Sequence, residues 1–131
     1  MSKSYDNYIG LFETPKQVEK KIKRIVTDSK EVDEPKDPES CNVFKLYKLF
    51  ATAEQAEDLA ARYRAGGMGY GTAKMELYEL VIAELSPLRE SYEGWMAKEG
   101  EMEEILASGA KKAGKIAGET MGDVRGKLGL G

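Results

Sequence analysis

The chain has 131 residues, 33% of them charged and 41% hydrophobic, with a formal net charge of −3, one cysteine and no histidine. Without histidine there is no Ser-His-Asp or Cys-His nucleophile arrangement, and a lone Cys41 rules out an internal disulfide and the usual zinc ligand sets. No apolar run approaches the ~20 residues that span a bilayer and no charged-then-apolar leader opens the chain, so we expect a cytoplasmic domain of the reducing cytosol with no membrane role.

At this length the chain is one domain or the rear part of a larger one. Mild acidity speaks against a dedicated nucleic-acid binder, but the charge is segregated. Lys16, Lys20, Lys21, Lys23 and Arg24 cluster against Glu19 alone, whereas Asp28 to Glu39 and Glu90 to Glu104 are acid-rich. Local patches matter more than their sum.

The chain opens Met1-Ser2-Lys3-Ser4-Tyr5-Asp6-Asn7, a cation between two hydroxyls in a mobile segment. Such a group suits a polyphosphate whose charge rises during reaction; a frayed polar tail is the plainer alternative. Thr14, Pro15 and Gln17 make a helix start, and Val18, Ile22, Ile25 and Val26 predict an amphipathic helix to about Val26. Thr27 to Ser40, acidic and with Pro35 and Pro38, reads as a linker in which Asp37 caps a helix restart. From Asn42 to Ala51 the apolar positions Val43, Phe44, Leu46, Tyr47, Leu49 and Phe50 nearly encircle a helix, which predicts burial at the centre of the core.

Thr52 with Gln55 opens a third helix that Gly66-Gly67 ends through a left-handed cap. The run Gly66 to Gly71 is not spaced as a phosphate cradle and reads as a helix connector. Thr72 caps a fourth helix to about Met96, kinked by Pro87, with Leu77, Leu80, Val81, Ala83, Leu85, Leu88, Tyr92 and Trp95 as packing positions. Beyond Gly100 a stripe from Met102 through Ile105, Leu106, Ala110, Ala113, Met121 and Val124 to Leu128 predicts a fifth, glycine-rich helix. No segment alternates with period two. The expected fold is all-α: an antiparallel bundle of about five helices behind a mobile loop. The tyrosines and Trp95 read as core, and Glu103-Glu104 lacks a partner that would tune it for acid-base work.

Met1 to Ser4 resembles the second signature of class I aminoacyl-tRNA synthetases, Lys-Met-Ser-Lys-Ser, without its leading lysine. Met1 to Asn7, Ile9-Gly10-Leu11, Lys21 to Arg24, Val26 to Ser29, Asn42-Val43-Phe44, Gly69-Tyr70-Gly71 with Lys74, and Gly109-Ala110-Lys111 to Leu128-Gly129-Leu130 look like the tryptophanyl-tRNA synthetase pattern, in order along the chain. The two-histidine first signature of the class has no counterpart here, so the resemblance implies a C-terminal fragment, inactive alone.

It further implies ATP as the nucleotide, with Mg2+ carried by ATP and no protein metal site. Lys3 would be the catalytic pyrophosphate contact, with Met1, Ser2, Lys3 and Ser4 forming the ATP-binding loop. Residues 1–13 would end the missing Rossmann domain, 14–28 form a connecting basic helix, 29–40 an acidic linker, and 41–131 a helical tRNA anticodon-binding bundle. Arg62, Arg64, Lys74, Lys111, Lys112 and Lys115 are the basic residues able to meet RNA, and Lys16 to Arg24 would meet tRNA phosphate or steady the linker. Tryptophan and ATP would be handled through the missing half, and the full enzyme would be a homodimer. The alternatives are the same part of a tyrosyl relative and a non-enzymatic helical interaction module.

Overall fold

The computed structural model describes residues 3–5 and 7–130, with the backbone but not the side chain of Lys3. After a 3-10 turn at Lys3–Tyr5 come five helices: α1 Pro15–Lys23, α2 Asn42–Phe50, α3 Ala53–Ala65, α4 Tyr70–Met96 and α5 Glu99–Leu128, with no strand among the described residues. The protein is all-α.

The predicted capping boxes form. The Thr14 amide donates to Gln17 Oε1 at 2.8 Å while the Gln17 amide donates to Thr14 Oγ1, and Thr52 with Gln55 repeats the pair. These exchanges satisfy amide donors that an uncapped first turn leaves unpaired. α1 stops at Lys23, short of the expected Val26. Lys74 Nζ, from α4, donates to the Lys23 carbonyl at 2.9 Å and caps that end, and Val26 is left exposed.

Three other boundaries differ from expectation. Asp37 starts a turn rather than a helix: its carboxylate accepts from the Glu39 amide and its carbonyl from Ser40 Oγ, and α2 begins only at Asn42. Gly66 has the positive φ expected, 79°, but an extended ψ of −176°, so α3 ends in an open turn and not a left-handed cap. α4 begins at Tyr70, ahead of Thr72, and continues through Pro87 to Met96.

The chain divides into two compact units, residues up to Ser91 and residues from Tyr92 onward. The first holds the core: Val18 and Ile22 of α1, Val43, Phe44 and Tyr47 of α2, Leu59, Ala60 and Tyr63 of α3, and Ala73, Leu77 and Val81 of α4. Burying a large apolar side chain contributes ~1.5–3 kcal/mol, so this cluster is the main favourable term for the unit. α2 is not encircled, because Leu49 is 73% exposed and only one side of the helix is covered. In the second unit α5 has no buried residue and Tyr92 and Trp95 of α4, expected to pack, are exposed, as is Leu88 near the end of the first.

The acidic segment is more ordered than its composition implies. Lys36 is buried, and its ammonium donates to the carbonyls of Glu31, Val32 and Glu34 at 2.7, 3.1 and 3.0 Å. Its own amide donates to the Tyr63 carbonyl at 2.7 Å, tying the loop to the end of α3. A buried ammonium is tolerated only when its donors are satisfied, and here backbone oxygens do so. The loop crosses so close that a Cβ on Gly66 would sit 2.5 Å from the Asp33 carbonyl oxygen.

Candidate functional site

Within the first unit, the N-terminal segment, the end of α1 and the start of α2 enclose an open groove of about 580 Å³. It is lined by Tyr5, Asn7, Tyr8, Ile9, Lys21, Arg24, Ile25, Val26, Asn42, Lys45 and Leu46. Each element supplies its part for a local reason. α1 buries Val18 and Ile22 in the core, so by helical spacing Lys21 and Arg24 fall beside the segment that precedes Thr14. α2 buries Val43, Phe44 and Tyr47, which turns Asn42, Lys45 and Leu46 toward the groove. Lys21 is held from two sides, donating to Glu13 Oε1 at 2.6 Å with its ammonium 4.0 Å from the Tyr8 ring centroid. Asn42 Nδ2 reaches the Val26 carbonyl at 3.5 Å, joining the start of α2 to the segment that follows α1.

The outcome is an apolar base of Ile9, Ile25 and Leu46 with cations, amides and phenol rings on its rim. Tyr5 is 80% exposed. Lys45 is exposed, and its ammonium has no acceptor among the described residues.

A second polar cluster ties the segment after α1 to the start of α4. Tyr70 donates to Asp28 Oδ1 at 2.6 Å, which holds the Asp28 carboxyl below its usual range, while burial first and the Asp28 bond second push the Tyr70 phenol up. Tyr63 is fully buried, its hydroxyl 3.7 Å from Cys41 Sγ, and desolvation raises its pKa. Both groups serve the fold: they face each other within the core and its edge, Tyr63 and Tyr70 meeting edge-on with centroids 5.9 Å apart.

Of the site residues expected from sequence, Met1 and Ser2 lie outside the described residues, as does the Lys3 side chain. The backbone of Lys3, with Ser4 and Tyr5, forms the short turn that leads into the groove, and Ser4 is exposed. The basic residues proposed to meet RNA separate into two groups. Arg62 is committed within the protein, its two terminal nitrogens bonded to Glu76 at 2.8 and 2.6 Å and its Nε 2.9 Å from Asp58. Lys74 caps α1, and Arg64 stands 3.5 Å from Glu57. Lys111, Lys112 and Lys115 are exposed on α5. In the α1 cluster Lys23 pairs with Glu19 at 2.5 Å, whereas Lys16 and Lys20 face solvent.

Sequence reasoning missed Tyr5, Tyr8, Asn42 and Lys45 as a set. Two of them flank the signature and two sit on a helix read as nearly encircled by apolar positions, where Lys45 and Lys48 were the available sign of an open face.

With this geometry in view, comparison with known families is decisive. The chain belongs to the class I tRNA synthetases of the tryptophan and tyrosine group, whose family model matches residues 1–86. Among curated relatives it is 46% identical to the tryptophan–tRNA ligase of Campylobacter jejuni and 42% identical to that of Rhodopirellula baltica, in each case over 99% of this chain and 41% of the relative. It is also similar to a crystal structure of the Campylobacter jejuni tryptophanyl-tRNA synthetase complexed with ADP and tryptophan, with a TM-score of 0.93 over 99% of this chain and 41% of that one. The chain therefore spans about two fifths of the length of these relatives.

Proposed function

We propose that the chain is the C-terminal part of a tryptophan–tRNA ligase, contributing the pyrophosphate-contacting loop for ATP-dependent tryptophan activation and the helical domain that binds the tRNA anticodon. The observation that carries this reading is the continuous match, at 46% identity and a TM-score of 0.93, to a synthetase whose structure holds ADP and tryptophan. In this reading residues 1–13 end the catalytic domain, 14–28 connect, 29–40 link, and 41–131 form the RNA-binding bundle. Lys36 supports the view of 29–40 as an ordered strap rather than a free tether. The complete ligase would act in the cytoplasm as a homodimer.

In the activation step the tryptophan carboxylate attacks the α-phosphorus of ATP, and the bond to the bridging oxygen of pyrophosphate breaks. Negative charge accumulates on the departing oxygens, where a preorganised cation is worth most. The Lys3 ammonium supplies it, Ser2 and Ser4 donate hydroxyl or amide protons, and Met1 takes the apolar position of the loop. Mg2+ would enter with the ATP phosphates.

The test joins this chain to the upstream three fifths of the Campylobacter jejuni relative and measures tryptophan-dependent ATP–pyrophosphate exchange. Lys3→Ala should lower kcat by a factor on the order of 10²–10³, the usual cost of one transition-state donor. An unchanged rate would show that Lys3 has no part in leaving-group chemistry.

A further inference from the structure

We infer that Lys21 is a positioning residue for the activation step: it fastens the stretch that follows the signature to α1 and so fixes the point from which the Lys3 segment departs. This inference rests on the reading of Lys3 as the pyrophosphate contact and adds the group that places it. A point charge stabilises a transition state only where it is held, and a misplacement of ~1 Å can cost on the order of 10²-fold in rate. The group that holds it must grip chain close to the signature and be anchored to something rigid. Lys21 meets both conditions.

Its ammonium donates to Glu13 Oε1 at 2.6 Å and stands 4.0 Å from the Tyr8 ring centroid, so one charge grips both ends of the stretch from Tyr8 to Glu13. The grip is shielded: the Lys21 and Glu13 side chains keep only 15% and 17% of their surface, where screening is weaker than between solvated charges. The stretch folds tightly around the pair. The Glu13 amide donates to the Gly10 carbonyl at 3.4 Å, and a Cβ on Gly10 would lie 3.1 Å from Glu13 Cγ and Oε1. Glu13 Oε2 is buried with no hydrogen-bond partner among the described residues, so without Lys21 the carboxylate would stand uncompensated and the stretch would shift to rehydrate it. α1 supplies the rigid end, with Val18 and Ile22 each 1% exposed in the core. Lys48 of α2 makes the same two kinds of contact more loosely, 3.5 Å from Glu39 and 5.6 Å from the Phe44 ring, and grips nothing near the signature.

The experiment measures tryptophan-dependent ATP–pyrophosphate exchange in the joined ligase, this chain behind the upstream three fifths of the Campylobacter jejuni relative. Lys21→Met should lower kcat about tenfold and leave the KM for tryptophan unchanged, because the placing of Lys3 is lost while tryptophan is handled by the upstream half. Lys21→Arg, which can pair with a carboxylate and cover a ring, should restore most of the rate. In a Lys3→Ala background Lys21→Met should cause no further loss, since the residue acts through Lys3. Lys48→Met is the matched control and should leave exchange unchanged. Thermal melting accompanies each variant; should Lys21→Met melt well below the parent, Glu13→Gln carries the same cycle, with an expected loss of about threefold. An equal loss with and without Lys3 would mean that Lys21 supports the fold and not the loop, which overturns the inference. So would an unchanged rate for Lys21→Met where Lys3→Ala is impaired, and the reading of Lys3 would then stand. Should Lys3→Ala itself be unimpaired, that reading falls and takes this inference with it.

Discussion

The two units use one helical code with opposite outcomes. In the first, apolar stripes at helical spacing become a closed core in which Leu59, Tyr63, Leu77 and Val81 have no exposed surface. In the second, α5 carries a comparable stripe over 30 residues and buries none of it. Periodicity states that a face is apolar; the elements within reach decide whether it is covered. α4 shows both outcomes in one helix, because Ala73, Leu77 and Val81 are buried while Leu88, Tyr92 and Trp95 are exposed.

The strongest way to break that contrast is truncation. Leu77→Ala should cost ~2–5 kcal/mol, the transfer term plus the cavity left among well-packed neighbours. Leu106→Ala, at 71% exposure, should change stability by no more than ~0.5 kcal/mol. Urea denaturation of the two variants checks both, and a large loss for Leu106→Ala would mean that the α5 stripe is covered in solution.

Glycines sharpen the same comparison. Gly66→Ala places a Cβ against the Asp33 carbonyl at a φ of 79° and should destabilise by ~1–3 kcal/mol. Gly118→Ala, with nothing within 4 Å of the new Cβ, should instead add helical content, since alanine is favoured over glycine by ~0.8–1 kcal/mol in a helix interior. Circular dichroism with thermal melting distinguishes the two signs.

Alkaline pH gives the smallest effect near neutrality and isolates the first unit. Burial raises the Tyr63 phenol above its ordinary value of 10.0, so the unfolded chain releases this proton first. The stabilisation is fully present below pH ~10 and is lost as pH rises toward the folded value, with a slope of up to ~1.4 kcal/mol per pH unit for this group. Tyr63→Phe should reduce the alkaline slope read from denaturation midpoints between pH 9 and 11, and Tyr70 and Tyr47, also raised by burial, carry what remains. Asp28 works in the other direction: its lowered pKa gives a contribution present above its usual value of 3.8 and lost on acidification.

Local signals were legible where a short run of sequence settles the physics. Thr14 with Gln17 and Thr52 with Gln55 specify their helix starts because donor and acceptor lie three residues apart. Gly66 announced a positive φ, which other residues adopt at a cost. The signature segment was legible as text, and the match of the family model to residues 1–86 agrees with the family read from it. The internal partners of Arg62 and Lys74 were not legible, because Glu76 and the Lys23 carbonyl lie 14 and 51 residues away.

Sequence alone thus determined the helices, their caps, the family resemblance and the absence of histidine chemistry, all consequences of neighbours a few residues apart. Tertiary structure decided which stripes are covered, which cations are engaged, that Lys36 organises the acidic strap, and that Tyr5, Arg24, Asn42 and Lys45 share one groove. Those outcomes depend on burial and long-range pairing, which exist only once distant parts of the chain share the same space.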